Sequence, residues 1–231
     1  MTAGQPAEPI WMRPEHAGLG RPAQRSRGEI TAAAIAIADR DGLAAVSMRR
    51  LAAELGTGAA SLYRYVQTRD DLLDLMADAV AAEYRLADPT GDWLADLVAL
   101  GEQLRAILRR HSWLVALIIE RPVLGPNGLG VLEYFMAVLA AHGGPLQLKL
   151  EAFAMLNGLT VSFVQHEAAG GLAAQQRVAA YIAYAVTPQQ HPALAAALAQ
   201  APPAATDPAD SYGDILGRVL TGLLGPAALD R

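Results

Sequence analysis

The sequence predicts an all-α fold in which a small three-helix unit precedes a larger helical body. From Ile30 onward, apolar residues recur at the three- and four-residue spacing of one helical face. No window shows the period-two alternation, rich in β-branched and aromatic residues, that is typical of a half-buried strand. Clusters of Pro and Gly separate the helical segments, so we expect essentially no sheet.

The first elements can be placed by their local signals. Residues 1–25 hold four Pro and three Gly without an apolar period, which predicts a flexible arm. A helix from Arg27 should end at Gly42, because glycine accepts the left-handed conformation of a C-terminal cap. Ser47 is a good N-cap for a second helix over 48–55. A third helix begins near Ala59 or Ala60, and the three-helix unit spans 26–70.

The rest of the chain, residues 71–231, is predicted as the larger body. Acidic residues at 70 and 71 favour the start of a fourth helix, which we expect to run to about Ala87. A turn at 88–91 separates the N-terminal elements from the helices that follow. Those helices are predicted at 92–110, 112–120, 128–142, 145–169, 172–186, 189–200 and 209–224.

Composition limits the class of protein. Hydrophobic residues make up 53% of the 231 residues, yet none of the apolar runs approaches the roughly 18 residues that a membrane span needs. The absence of cysteine excludes disulfides and thiolate metal sites. The N-terminal residues do not resemble a secretion signal. We therefore expect a cytoplasmic protein without a membrane partner.

Charge is unevenly distributed along the chain. The net charge is −5, but residues 21–69 contain eight Arg against four acids, so this segment is basic and the remainder is strongly acidic. A basic N-terminal unit on an acidic body is expected if only that unit contacts phosphates. From charge alone, a solvated charged face is an equally good reading.

The segment 47–65 has the spacing of a helix-turn-helix. Two helices that cross steeply need a small residue at their contact and Gly in the connection. Ala52 is the small residue, and Gly56 lies in the turn. Leu51, Leu55 and Leu62, with Tyr65 or Val66, complete the predicted core. Spacing alone also fits an Ala-rich helical hairpin that only forms hydrophobic core and does not bind DNA.

The run from Arg25 to about Val80 resembles the DNA-binding domain of the TetR family of repressors. The resemblance is carried by residues 41–43, 47–52, 62–66 and 69–73. It implies an all-helical homodimer with two DNA-reading heads, a ligand-binding body, and loss of DNA affinity when an inducer binds. Three positions depart from the family pattern, namely Thr57, Tyr65 and Arg69.

The same resemblance assigns DNA contacts to the second and third helices. It makes the third helix the recognition helix in the major groove. Arg49 and Arg64 are the predicted base readers, because Arg pairs well with guanine. The remaining predicted contacts are Ala59, Ala60 and Ser61 near the bases, and Ser47, Tyr63, Tyr65 and Arg69 at phosphates. Tyr65 could instead be a core residue.

The basic arm is a further predicted contact. Arg21, Arg25 and Arg27 could lie along the minor groove or the backbone, as other basic arms do. A solvated tail explains them equally well.

The body resembles, more weakly, the ligand-binding domain of the tetracycline-repressor branch, at 121–128 and from 191–194 to 214–216. That resemblance implies a homodimer through the helices near 145–169 and 209–224. Their apolar stripes, taken alone, fit a monomer core. Predicted pocket residues are the polar and aromatic side chains of the body, each of which could also be core or surface: Arg105, His111, Trp113, Tyr134, Phe135, Asn157, Phe163, His166, Tyr181 and Tyr184.

Catalytic and metal-binding motifs do not emerge from the sequence. The five His are scattered without metal-ligand spacing, and neither a nucleophile elbow nor a phosphate loop is present. We therefore expect no metal, no cofactor and no enzymatic activity. The predicted function is a ligand-responsive DNA-binding repressor that a small, mostly apolar effector releases from operator DNA. The alternative is a helical binding protein with a vestigial DNA-binding head.

Overall fold

The computed structural model describes residues 8–14, 25–120, 124–200 and 211–225, which form helices and no strands. This confirms the all-α prediction. The helices are α1 Arg27–Asp41, α2 Met48–Glu54, α3 Ala59–Leu62, α4 Arg69–Ala81, α5 Trp93–Arg110, α6 Leu114–Glu120, α7 Pro126–Val138, α8 Leu146–Ala168, α9 Gly171–Ala185, α10 Pro192–Gln200 and α11 Tyr212–Leu224.

Helices α1 and α2 begin and end, and α3 begins, where the local signals predict. Ser26 and Glu29 form a capping box at the start of α1, and Gly42 follows its end with a φ of 81°. The Ser47 side chain accepts a hydrogen bond from the Arg50 N–H at the start of α2. Ile37, Leu51 and Leu62 are fully buried where the three helices meet. A small core therefore fixes the angle between α2 and α3.

Helix α4 connects this unit to the body and is shorter than predicted. It packs against α1 on one side and against α6 and α7 on the other. The sequence predicts an end near Ala87, which is wrong, because α4 ends at Ala81. The Gln103 amide accepts from the Arg85 N–H at 2.7 Å and donates to the Arg85 carbonyl at 3.3 Å. The Gln103 side chain thus forms hydrogen bonds with the backbone N–H and carbonyl of Arg85, which a longer α4 would have used within the helix.

The body is built around α5, α8 and α11, which pack against one another. The Tyr212 hydroxyl of α11 lies 2.6 Å from Thr160 Oγ1 of α8, and both residues are fully buried. Gly101 of α5 allows the close approach of α11, since an added Cβ would lie 2.5 Å from Leu216 Cδ2. The predicted bounds of α5, α6, α8, α9, α10 and α11 agree with these helices to within three residues.

Helix α7 begins earlier and ends earlier than the predicted 128–142. It starts at Pro126 because Asp78 of α4 caps it. Oδ1 of Asp78 accepts from the N–H groups of Asn127 and Gly128, each at 3.0 Å. The helix ends at Val138, before the Gly143-Gly144 turn. A carboxylate on α4 therefore positions the N-terminus of α7.

An ordered N-terminal segment lies across this junction. Residues 9–14, here named the N-terminal strap, contain one 3-10 turn over Ile10–Met12. Ile10 is only 1% exposed. This packing differs from the flexible arm that the sequence predicts over 1–25. Residues 1–7 and 15–24 of that arm, including Arg21, lie outside the described residues.

Candidate DNA-binding surface and effector cavity

Helices α2 and α3 form a helix-turn-helix. Gly56 in the turn has a φ of 61°, which favours glycine, and α2 packs against α3. Thr57 stands where an apolar residue is common in the family. Its Oγ1 lies 2.8 Å from Ser61 Oγ, which also donates to the Gly58 carbonyl at 2.7 Å. The hydroxyls of Thr57 and Ser61 thus stabilise the start of α3.

Two arginines on this surface are free of protein partners. Arg49 of α2 and Arg64, just after α3, are exposed, and neither side chain has a hydrogen bond or ion pair within the described part of the chain. By contrast, Arg40 and Arg50 are paired with Asp41 at 3.1 and 2.9 Å. The free guanidinium groups are those that the sequence predicts as base readers.

The other predicted DNA contacts surround these arginines. Ser47, Ala60 and Arg69 are exposed, and Tyr63 exposes 49% of its surface. Ala59 and Ser61 are half-buried at the start of α3. Tyr65 is half-buried and packs against the core, which agrees with the core reading of this residue. All but Arg27 therefore lie in one region of the molecule around α2, α3 and the start of α4.

Arg27 lies elsewhere, and its guanidinium is bound within the protein. Its Nε donates to the Tyr65 carbonyl at 3.1 Å, and its Nη atoms donate to carbonyls of the N-terminal strap. Arg25 likewise donates to the Leu55 carbonyl at 2.7 Å, at the end of α2. Arg25 and Arg27 therefore each donate to a backbone carbonyl of the helix-turn-helix segment.

A cavity of about 580 Å³ lies between α4, α5, α6, α7 and α8. Its walls are formed mainly by apolar side chains, which include Ala77, Val80, Leu104, Ile107, Leu117, Ile118, Val131, Leu132, Phe153 and Val161. This volume and apolar lining are typical of a site for a small organic ligand.

The polar groups of the cavity lie mostly on one helix. Asn157, Ser162 and Gln165 come from α8, and Tyr84 faces the cavity from the segment after α4. The Asn157 amide donates to the Phe153 carbonyl at 3.0 Å, which leaves its Oδ1 as an acceptor. Burial raises the pKa of the Tyr84 phenol, so this group stays neutral. Among the described lining residues, none carries a charged side chain.

Of the ten predicted pocket residues, Asn157 lines this cavity. Phe135 and Phe163 are packed against Phe153 and Tyr212, with ring centroids 5.2 and 5.1 Å apart. Tyr134 packs half-buried against the core. The remaining exposed candidates lie on the outer faces of α8 and α9, namely His166, Tyr181 at 68% and Tyr184 at 87% exposure.

Arg105 is buried in a charged network rather than in the cavity wall. Its guanidinium donates to Glu167 at 2.5 Å, and Glu102 lies 3.4 Å away. It also lies over the Tyr212 ring, 4.9 Å from the centroid. Arg109 donates to the second oxygen of Glu167 at 2.9 Å. This network ties α5 to α8.

His111 and Trp113 form a different junction, between the body and α1. His111 Nδ1 lies 2.7 Å from Asp39 Oδ1, and Nε2 lies 2.9 Å from Glu83 Oε1. The Trp113 indole donates to the same Asp39 oxygen at 2.6 Å. Both residues are buried. In the sequence they lie between Ile107 of α5 and Leu114 of α6, which both line the cavity. This junction therefore connects the cavity wall to the N-terminal three-helix unit.

Sequence reasoning missed the small and aliphatic cavity residues and three of the four polar ones, namely Tyr84, Ser162 and Gln165. Gln165 lies eight residues after Asn157, two turns along the same face of α8, and this spacing could have found it. Ala77 and Val80 carry no chemical signal of a site.

Within the described ranges, no three His, Cys, Asp or Glu side chains come together as a metal site. In the same ranges, no helix is both long and apolar enough to span a membrane.

Two family models match the chain. Residues 30–76 match the model described as bacterial regulatory proteins, tetR family. Residues 87–225 match the tetracyclin repressor-like C-terminal domain. Together they cover the helix-turn-helix and most of the cavity-lining residues.

Similar proteins carry regulatory names. An HTH-type transcriptional regulator of Saccharopolyspora erythraea is 40% identical over 159 residues, which are 68% of this chain and 67% of that protein. The HTH-type transcriptional repressor DrrR1 of Streptomyces coeruleorubidus is 40% identical over 134 residues, 57% of this chain and 50% of that protein. The chain thus spans about two thirds of the first relative and half of the second.

A solved structure extends the likeness over most of the fold. The TetR family protein ActR of Streptomyces coelicolor, in complex with actinorhodin, is 31% identical with a TM-score of 0.75. The match covers 88% of this chain and 99% of that one. A second ActR structure, in complex with (S)-DNPA, has a TM-score of 0.73 at 32% identity and covers 87% of this chain and 98% of that chain.

Proposed function

We propose a function from one premise: this chain belongs to the tetR family of bacterial regulatory proteins. It is a DNA-binding transcriptional regulator. We propose further that it acts as a repressor and leaves its operator when a small, mostly apolar effector occupies the cavity. Two findings support this, namely that DrrR1 is named a repressor and that ActR has been solved with actinorhodin bound.

The observation that carries the DNA-binding role is that Arg49 and Arg64 are exposed and make no hydrogen bond or ion pair with the residues that the structure describes. A guanidinium that is not neutralised by a carboxylate can donate two hydrogen bonds to guanine O6 and N7. With α3 in the major groove, Ala59, Ala60 and Ser61 would lie nearest the bases. The predicted phosphate contacts are Ser47, Tyr63, Tyr65 and Arg69, which would set the register on the duplex.

A dimer would present two such surfaces to one operator. The proposed interface is formed by α8 and α11, whose outer faces carry apolar side chains that the body leaves exposed or half-buried: Leu146, Leu150, Met155, Ile215 and Val219. A two-fold dimer binds half-sites about 34 Å apart, one turn of DNA. The spacing between the two copies of α3 then decides whether both can bind.

The effector can be described by the cavity that would hold it. Aliphatic walls exclude water and favour an apolar body, while Asn157, Ser162 and Gln165 offer hydrogen bonds along one edge. The described lining holds no charge, and burying an unpaired charge is costly. We infer an uncharged effector whose polar groups face α8.

Helix α4 is positioned to carry the signal. Ala77 and Val80 line the cavity, and the same helix begins at Arg69, shortly after residues 59–66, here named the recognition segment. An effector that displaces the cavity end of α4 would rotate its other end with the helix-turn-helix. In a dimer this changes the separation of the recognition helices.

The test is the double substitution of Arg49 and Arg64 by Ala, with Arg50→Ala as the matched control. Specific DNA affinity should be lost in the double variant, while sizing chromatography still gives the dimer. Arg50→Ala should bind nearly as wild type, because Arg50 is already paired with Asp41. Unchanged specific affinity in the double variant would refute the assigned readers. A wild-type dimer that binds no DNA would favour the vestigial-head alternative.

A further inference from the structure

One arginine joins the recognition segment to the N-terminal strap. Arg27 Nε donates to the Tyr65 carbonyl at 3.1 Å, where the chain leaves α3. Nη1 donates to the carbonyls of Ile10 and Arg13 at 3.2 and 2.9 Å, and Nη2 donates to that of Pro14 at 2.8 Å. The guanidinium fork is therefore occupied by backbone carbonyls on two separate parts of the chain.

The strap is fixed at its own ends. Ile10 is buried, and the strap packs against α4. Arg13 forms an ion pair with Asp71 of α4 and donates to Gln67 Oε1 at 3.0 Å. Gln67 lies two residues after Tyr65, so the strap holds this stretch at two points.

The strap also reaches the rim of the cavity. A Cβ added to Gly125 would lie 2.8 Å from the Trp11 ring, so the indole packs directly on this glycine. Gly125 is the residue before α7, and its neighbours Leu124 and Gly128 line the cavity. A displacement of this rim would press on Trp11.

We propose that Arg27 is a positioning residue that, through the strap, ties the end of the recognition segment to the start of α7 at the cavity rim. This link runs along α4, which also anchors the strap through Asp71, and its two ends are the Tyr65 carbonyl and the Trp11 ring on Gly125. Its regulatory use rests on the proposed effector response. The structural link itself does not depend on that response, and hydrogen exchange of the free protein tests it.

The experiment compares Trp11→Ala and Arg27→Gln with the matched strap variant Met12→Ala in the full chain. Met12 is 68% exposed, which makes it a control for any change in the strap. The amides of Tyr65 and Val66, both bonded to the Leu62 carbonyl, should exchange about tenfold faster in both test variants. They should exchange at the wild-type rate in Met12→Ala. Wild-type rates at Tyr65 and Val66 in Trp11→Ala would overturn the proposal.

A DNA-binding measurement separates positioning from direct contact. For a positioning role, Arg27→Gln should lower affinity for an operator fragment while the slope of log K against log salt stays unchanged. A loss of about 0.9 in that slope would mean that Arg27 neutralises a phosphate, as the sequence predicts, and would overturn the proposal. If the wild-type protein binds no DNA, the proposed function is wrong. The exchange rates would still test the link through the strap.

Discussion

The imidazole of His111 lies 2.7 Å from the Asp39 carboxylate and so joins the end of α5 to α1. Its other ring nitrogen lies 2.9 Å from Glu83. The His111 cluster, defined as His111, Asp39, Glu83 and Trp113, is therefore a polar junction between the cavity wall and the DNA-binding unit.

Replacing His111 should break this junction. His111→Gln keeps a polar side chain but carries both N–H groups on one nitrogen, so it cannot reproduce contacts that the two separate ring nitrogens make, and we expect a loss of roughly 1–3 kcal/mol in the free energy of unfolding. Urea unfolding at fixed protein concentration measures it. A cycle with Asp39→Asn should give a coupling energy above about 0.5 kcal/mol. Strictly additive effects would show that the two side chains do not interact in solution.

The start of α4 should make the protein sensitive to acid. Burial opposes ionisation of Asp71, but hydrogen bonds from Arg13 and Thr68 outweigh it and hold the pKa of this carboxyl below its usual value. Its contribution to stability is present above the unfolded-state pKa of about 3.9 and is lost as the pH falls through the folded-state pKa.

Asp71→Asn should therefore lower stability near pH 7 and flatten the acid side of the stability curve below about pH 4. Free energies of unfolding between pH 7 and the acid transition measure both effects. Asp70→Asn is the exposed neighbouring control. A variant curve parallel to that of wild type would contradict the assigned role of Asp71.

Close packing of α5 on α11 makes Gly101 a sensitive position. A Cβ there would lie 2.6 Å from the Tyr212 hydroxyl as well as against Leu216, so Gly101→Ala should cost about 1–3 kcal/mol. Gly130→Ala on α7 is the control, because nothing lies within 4 Å of its added Cβ. That control should gain roughly 0.5–1 kcal/mol from helix propensity. Thermal unfolding that ranks the two variants the other way would contradict this packing.

Filling the cavity should abolish effector binding without affecting DNA binding. Ala154 lines the cavity, so Ala154→Phe should remove the space for a ligand. Ala106→Phe adds the same ring on an exposed face of α5. Nile red, an uncharged apolar fluorophore, serves as the probe. Its fluorescence should rise with wild type and Ala106→Phe and stay low with Ala154→Phe, whereas equal enhancement by both variants would place the binding site elsewhere.

The sequence predicts the N-terminal helices well because their signals are local. Ser47 and Gly42 act within one turn of their own helices. The end of α4 and the start of α7 depend on contacts distant in sequence, made by Gln103 and Asp78. Those contacts have no local pattern, and there the predicted bounds differ from the structure.

The cavity is harder to predict than the DNA-binding surface for a related reason. The sequence analysis selected aromatic and charged side chains as pocket residues, but most of these do not line the cavity. Trp113 and Arg105 bind carboxylates, and Phe163 packs on Tyr212. The cavity forms where small and aliphatic residues such as Ala77 leave space. Asn157 combines both features, since it is polar and lies on the α8 face that bounds this space.

The most direct test of the central claim is a gel-shift titration, over a range of salt concentrations, of the purified dimer on the DNA upstream of its own gene. Protein that has been unfolded and refolded is used, so that any co-purified effector is removed. We predict a complex that survives unrelated competitor DNA at physiological salt and weakens steeply between about 50 and 200 mM salt. A dimer of confirmed size that gives no specific complex on that DNA at any salt would contradict it.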